Sequence, residues 1–297
     1  MEDECIYVSS RGLLKSCDVK SSTPQSDAGN LINYNIQDFQ EYSTIYITTS
    51  CMKTFSFMLQ NLDSYQFLNK KFILVSGDSD LTVPYDIFSS YEEFLQFINN
   101  DNIIHWYSQN CIISHPKVSN LPIGLDFHSI GNEEYSISPQ GKEIEMRFLQ
   151  KKARPFWERN PICYSTFHFA TYETFVNVRK RAINDIPTEC VFYEPERIKR
   201  YETWKNQTEY AFVSSPHGHG LDCHRTWEAL CLGCIPVVVK SGLDPLYEGL
   251  PVLILDSYKD LSLELLQKTI IEFKDRKWNM EKLTLEYWFK KINSHKK

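Results

Sequence analysis

Between residues 213 and 256 the chain reads VSSPHGHGLDCHRTWEALCLGCIPVVVKSGLDPLYEGLPVLILD. An apolar strand, a small polar loop, a helix and a second apolar strand follow one another there, the order of a βαβ unit. Pro216, Gly218 and Gly220 give the loop a backbone that a ligand can approach closely. The helix start offers unpaired N–H groups and the positive end of a dipole, so an anion belongs beside it. Arg225 and Glu228 are three positions apart and share a helix face. The guanidinium suits a diphosphate, and the carboxylate can accept two ribose hydroxyls. By spacing alone such a pair is more commonly a surface ion pair, so its setting must decide.

That setting is specific. The stretch SSPHGHGLDCHRTWEALCLGCIPVV resembles the signature of exostosin-like glycosyltransferases, above all a xylosyltransferase-like branch with the pattern GLDxHRxWEAL. The resemblance is closest over 213–256 and extends more weakly to LVSGDSD (74–80) and LPIGLDFH (121–128). It implies a GT-B fold, two Rossmann-like domains facing across a cleft, and inverting transfer from a nucleotide sugar. Carried over, Arg225 meets the diphosphate and Glu228 the ribose. Ser215, His217 and Gly218 line the sugar or phosphate loop, and Asp222 caps and orients the helix. Members of that family usually carry a Golgi membrane anchor, and this sequence departs from them in having none. The departure fits a cytoplasmic version, viral or microbial, working in the host cytoplasm if viral.

Inverting transfer needs a base within hydrogen-bond reach of the acceptor hydroxyl. Carboxylates at the carboxyl ends of amino-terminal strands are the candidates, because ligands of open α/β sheets bind at that edge. Asp78 and Asp80 meet the condition. In an extended GDSD segment they point the same way, and paired carboxylates raise one another's pKa. The plainer reading is that they cap the turn before Pro84. Asp126 and His128 form the second candidate, and His217 is a third.

Arg179 and Arg181, at i and i+2, cannot share one helix face, and Arg179 is the one expected to reach the diphosphate. Trp157, Trp227 and Tyr247 are read as packing rather than as sugar platforms. His217, His219, Cys223 and His224 are all metal-capable, but they crowd one loop without the second ligand pair of a structural zinc site. The expectation is a reaction without metal, with Mg or Mn at the DSD of 78–80 as the lesser alternative. Cys231 and Cys234 mimic a redox pair, yet they sit where a helix ends and a strand begins. Nine cysteines without framework spacing suit a reducing compartment.

Alternating strand and helix patterns must hold these residues. In the first half, strands are expected at 43–48 and 71–80 and helices at 50–62 and 89–100. A short strand lies between Pro116 and Pro122. The region 131–155 reads as a connection containing a helix at 142–153, which divides the chain into an acceptor-side domain, 1–155, and a nucleotide-sugar domain, 156–297. In the second half, strands are expected at 161–169, 208–215, 234–239 and 251–256, with helices at 174–183 and from Cys223. Two helical patterns follow Leu261, the last able to pack back on the first domain.

Whole-chain properties close off other classes. The 297 residues are 42% hydrophobic and 14% aromatic, enough for packed cores. A net charge of −6 gives no affinity for nucleic acid backbones. No apolar run long enough for a span occurs, and MEDECIYVSS lacks a signal peptide's basic start, so no membrane partner is expected. No GxGxxG follows an early strand, which removes a dehydrogenase reading. The sequence therefore points to an inverting transferase moving a sugar, xylose first, from a UDP-sugar to a glycan hydroxyl. The alternative is a nucleotide- or glycan-binding module of the same fold without turnover.

Overall fold

The computed structural model describes residues 2–21, 39–61, 69–127, 138–167 and 173–296, with the backbone alone at 173–177. The chain is α/β and divides into two compact units, Met1–His128 with Thr284–Lys297, and Ser129–Leu283.

The first unit opens on α1 (Ser10–Ser16), whose first turn is capped by the Ser9 hydroxyl accepting the Gly12 N–H at 3.0 Å. There follow β1 (Ser43–Thr48), α2 (Met52–Gln60), β2 (Phe72–Gly77), α3 (Tyr91–Ile98), β3 (Ile103–Ser108) and β4 (Val118–Asn120). All four strands pair in parallel in the order β1-β2-β3-β4. Every residue of β2 is buried, as expected of a parallel strand covered on both faces. Phe55, Phe94, Phe97 and Trp106 pack over Phe72 and Leu74. The Trp106 indole N–H is satisfied by Ser76 at 2.9 Å.

The second unit contains α4 (Pro139–Lys152), β5 (Asn160–Ser165), α5 (Glu173–Asp185), β6 (Val191–Tyr193), α6 (Arg200–Gln207), β7 (Tyr210–Ser214), α7 (His224–Cys231), β8 (Ile235–Val239), α8 (Asp244–Tyr247), β9 (Leu253–Leu255) and α9 (Leu263–Lys274). Its sheet is parallel throughout, in the order β6-β5-β7-β8-β9. The chain runs outward in one direction from β5 to β6 and in the other from β7 to β9. The junction of β5 with β7 is thus a topological switch point, where the diverging connections leave a crevice at the carboxyl ends of the strands.

The division falls at 128/129, not near 155. Helix α4 packs on α6 and α7, so the residues expected to connect the domains belong to the second unit's own core. The last helix, α10 (Leu285–Asn293), counts with the first unit. Its Leu285, Trp288 and Ile292 are buried, and the Leu285 N–H bonds the Ile6 carbonyl at 2.8 Å. Among the described residues no helix is long and apolar enough to cross a membrane.

Candidate functional site

Helix α7 is fixed at both ends by its own sequence. Thr226, Trp227, Ala229, Leu230 and Cys231 are buried. It stops at Gly233, whose φ of +72° suits glycine. There the Cys234 N–H bonds Ala229 O at 2.8 Å and the Gly233 N–H bonds Leu230 O at 3.0 Å, a Schellman closure. Before the helix, Asp222 is not its cap, as the sequence reading had it. The N-cap is Cys223, without a side-chain cap bond. Asp222 lies one residue earlier, buried, and accepts the Trp227 indole N–H on both oxygens at 2.9 and 3.0 Å, with the Tyr247 hydroxyl at 3.5 Å. It orients the helix through Trp227.

The loop from β7 to α7 is closed on itself. Ser215 Oγ lies 2.8 Å from Thr226 Oγ1, and the Gly218 N–H bonds Gly220 O at 3.1 Å. His217 Nδ1 is 2.7 Å from the Leu221 carbonyl. A carbonyl only accepts, so Nδ1 carries a proton. A side-chain carbon at Gly218 would stand 3.0 Å from Arg179 Nη2. Arg179 therefore lies directly over the glycine of this loop.

Arg225 comes to the same place from α7. Its guanidinium carbon is 5.7 Å from the Phe167 ring just beyond β5, so it spans the switch point. Its Nη1 is buried and without a hydrogen-bond partner among the described residues. Burial first, and then the charge of Arg225, lowers the pKa of Arg179. Two like charges held together at the carboxyl edge of a parallel sheet favour an anion between them.

Glu228 turns elsewhere. It pairs with Arg200 at 3.6 Å, with the two side chains 12% and 25% exposed. Spacing placed Arg225 and Glu228 on one face, but the structure gives them separate partners. Trp227 and Tyr247 are buried, 6.3 Å apart between ring centres, and Trp157 is exposed.

In the first unit, Asp78 and Asp80 do not form the expected pair. Asp78 has a φ of +56°, so the GDSD segment is not extended. Its side chain is 4% exposed and lies 3.7 Å from the Arg11 guanidinium, whereas Asp80 is exposed. Gln109 fixes this corner, accepting the Asp78 N–H at 3.0 Å while donating to Ser10 Oγ and Pro122 O at 2.8 and 2.9 Å. Asp126 is buried. His128 lies outside the described residues.

Among the described residues no three His, Cys, Asp or Glu side chains converge to hold a metal. Burial raises the Cys234 thiol to about 11 despite Arg159 beside it, and raises Cys231 well above its usual value. Both remain thiols at neutral pH, as packing cysteines do.

Ser165, Phe167, Tyr193 and Glu194 were not picked out from the sequence, although Phe167 lies under Arg225 and the others stand at the ends of β5 and β6. Only the strand order reveals them, because it sets β6 beside β5. No family model matches the chain, and no curated protein matches it.

Proposed function

We propose that the chain is an inverting glycosyltransferase of GT-B type, binding a UDP-sugar on its second unit and transferring the sugar to a glycan hydroxyl. Xylose is the sugar we favour, from the GLDCHRTWEAL motif, and the cytoplasm the setting. The observation that carries the reading is Arg225 Nη1, buried without a hydrogen-bond partner among the described residues, beside Arg179 at the β5/β7 switch point. A diphosphate would supply the missing acceptors and offset the repulsion between the two arginines.

In the proposed step the acceptor oxygen attacks the anomeric carbon from the side opposite the diphosphate. The bond from that carbon to the phosphate oxygen breaks, and UDP leaves with the electron pair. The hydroxyl proton passes to a carboxylate, for which the exposed Asp80 is the most open candidate. Negative charge grows on the leaving oxygen, so Arg225 and Arg179 would serve the transition state more than the ground state. They provide the positive charge that Mg or Mn would otherwise bring, so the reading requires no metal. Glu228 would reach a ribose only by sharing itself with Arg200.

The alternative, a binding module without turnover, shares the arginines but not the base. Free UDP released from UDP-xylose, with and without a glycan acceptor, separates the two. Catalytic release supports the transferase, whereas UDP binding without any release from a panel of UDP-sugars leaves only the module.

A further inference from the structure

Beside the switch point, at the carboxyl ends of β5 and β6, lies a cavity of about 280 Å³. Its wall includes Ser165, Phe167, Tyr193, Glu194 and Arg197. Ser165 is 1% exposed, and neither its Oγ nor the Tyr193 hydroxyl has a hydrogen-bond partner among the described residues. Unpaired buried hydroxyls are costly, and two on one wall point to a ligand that completes them.

The third polar group is held ready. Glu194 Oε2 accepts both the Tyr164 hydroxyl at 2.6 Å and Asn206 Nδ2 at 3.1 Å. Because both bonds fall on one oxygen, the carboxylate keeps acceptor capacity on the other. Tyr164 stays protonated to donate this bond, since burial and then Glu194 itself raise its pKa.

Charge draws a phosphate to Arg225 rather than to the far side of this cavity. Glu194 and Glu196 outnumber Arg197 on its wall, while the Arg225 guanidinium lies over Phe167, which forms part of the same wall. A molecule with its anionic end on Arg225 would therefore turn a neutral, hydrogen-bonding end into the cavity. Phe167 and Tyr193, with ring centres 6.2 Å apart and edge to face, offer it aromatic surface.

We propose that the cavity takes the base of the nucleotide and selects one with a ring N–H flanked by carbonyls, uracil, over one with a bare ring nitrogen. This rests on the nucleotide reading above and assigns its specificity to Ser165, Tyr193 and Glu194. The two hydroxyls donate to the carbonyl oxygens, and the Glu194 carboxylate accepts the imide N–H. Cytosine is nearly the same size but presents an unprotonated ring nitrogen, which would face the carboxylate acceptor to acceptor. A site built on such bonds rejects the mismatched analogue strongly.

The test titrates the full chain with UDP, CDP and inorganic pyrophosphate, with melting curves confirming that each variant folds. UDP is expected to bind at least about tenfold tighter than CDP. Tyr193→Phe and Ser165→Ala should weaken UDP and leave pyrophosphate unchanged. Glu194→Gln keeps an oxygen for Tyr164 and Asn206 but turns an N–H₂ donor toward the ligand, so the UDP preference should shrink or invert. Equal affinity for UDP and CDP, or a preference that Glu194→Gln does not move, overturns the base pocket while diphosphate binding stands. If neither UDP nor pyrophosphate binds the natural chain, the nucleotide reading fails and takes the pocket with it.

Discussion

The guanidinium carbon of Arg225 stands 5.7 Å from the centre of the Phe167 ring. That contact joins the helix after β7 to the loop after β5 across the one place in the second sheet where the strand order reverses. It leaves Nη1 buried without a hydrogen-bond partner among the described residues and brings the charge next to Arg179. An arginine kept for stability alone would be expected to have its buried donors paired.

Gly218 tests whether the loop itself sets this arrangement. In Gly218→Ala the new carbon would meet Arg179 Nη2 at 3.0 Å and Cys223 Sγ at 3.3 Å. The guanidinium is the end of a flexible side chain and should swing aside at little cost in stability. UDP affinity is expected to fall severalfold with the melting temperature nearly unchanged. Unaltered affinity would mean that Arg179 does not touch the ligand.

Asp222 should prove structural. Asp222→Ala leaves the Trp227 indole N–H and the Tyr247 hydroxyl buried, at 1% and 4% exposure. Each unpaired group costs about 1–3 kcal/mol. Denaturant unfolding should show a loss of that order for the pair, and a loss below it would mean that other groups or water take over both donors.

His105 sets an acid limit in the first unit. Its ring stacks on His295 with centres 4.4 Å apart, and its Nε2 lies 2.9 Å from Ser119 Oγ. Burial, and then the charges of His295, Lys291, His115 and Lys117, lowers its pKa from 6.5 to about 4. The unfolded chain takes up this proton first, so the contribution is complete above pH 6.5 and is lost as pH falls toward 4. Melting temperature should drop over that window, and less steeply in His105→Gln. Parallel pH profiles for the two proteins would remove His105 as the cause.

Much of this was legible in the sequence, because long periodic or β-branched runs carry their own signal. STIYIT is β1 to the residue, and the CHRTWEALCLG helix and the strand beginning at Cys234 became α7 and β8 within one or two residues. The strands β3 and β6 were not predicted. IIHWYS (103–108) interrupts its apolar run with His105, and VFY (191–193) is too short to show a period. Helix α6, RYETWKNQ, is nearly all polar, and Trp204 and Gln207 are its buried residues. Losing β6 concealed the cavity, since Ser165 and Tyr193 meet only when β6 lies beside β5. The Asp78 and Asp80 pairing failed on one backbone angle, the left-handed φ at Asp78, which asparagine and aspartate tolerate without any mark in the sequence.

The two aspartates now predict different outcomes. Asp80→Asn should bind UDP normally and transfer sugar about 100-fold more slowly. Asp78→Asn removes the charge facing Arg11 at 3.7 Å and should lower the melting temperature instead. Near-normal transfer by Asp80→Asn, together with loss of transfer in Asp126→Asn, would move the base to the end of the loop after β4.

The central claim is that the second unit binds a nucleoside diphosphate through Arg225, and calorimetric titration of UDP into the natural chain and into Arg225→Ala tests it most directly. The account predicts one site per chain and an affinity at least about tenfold weaker in the variant, or about 1.4 kcal/mol, with the variant still folded. Absence of UDP binding by the natural chain, or equal affinity in the two proteins, would contradict it.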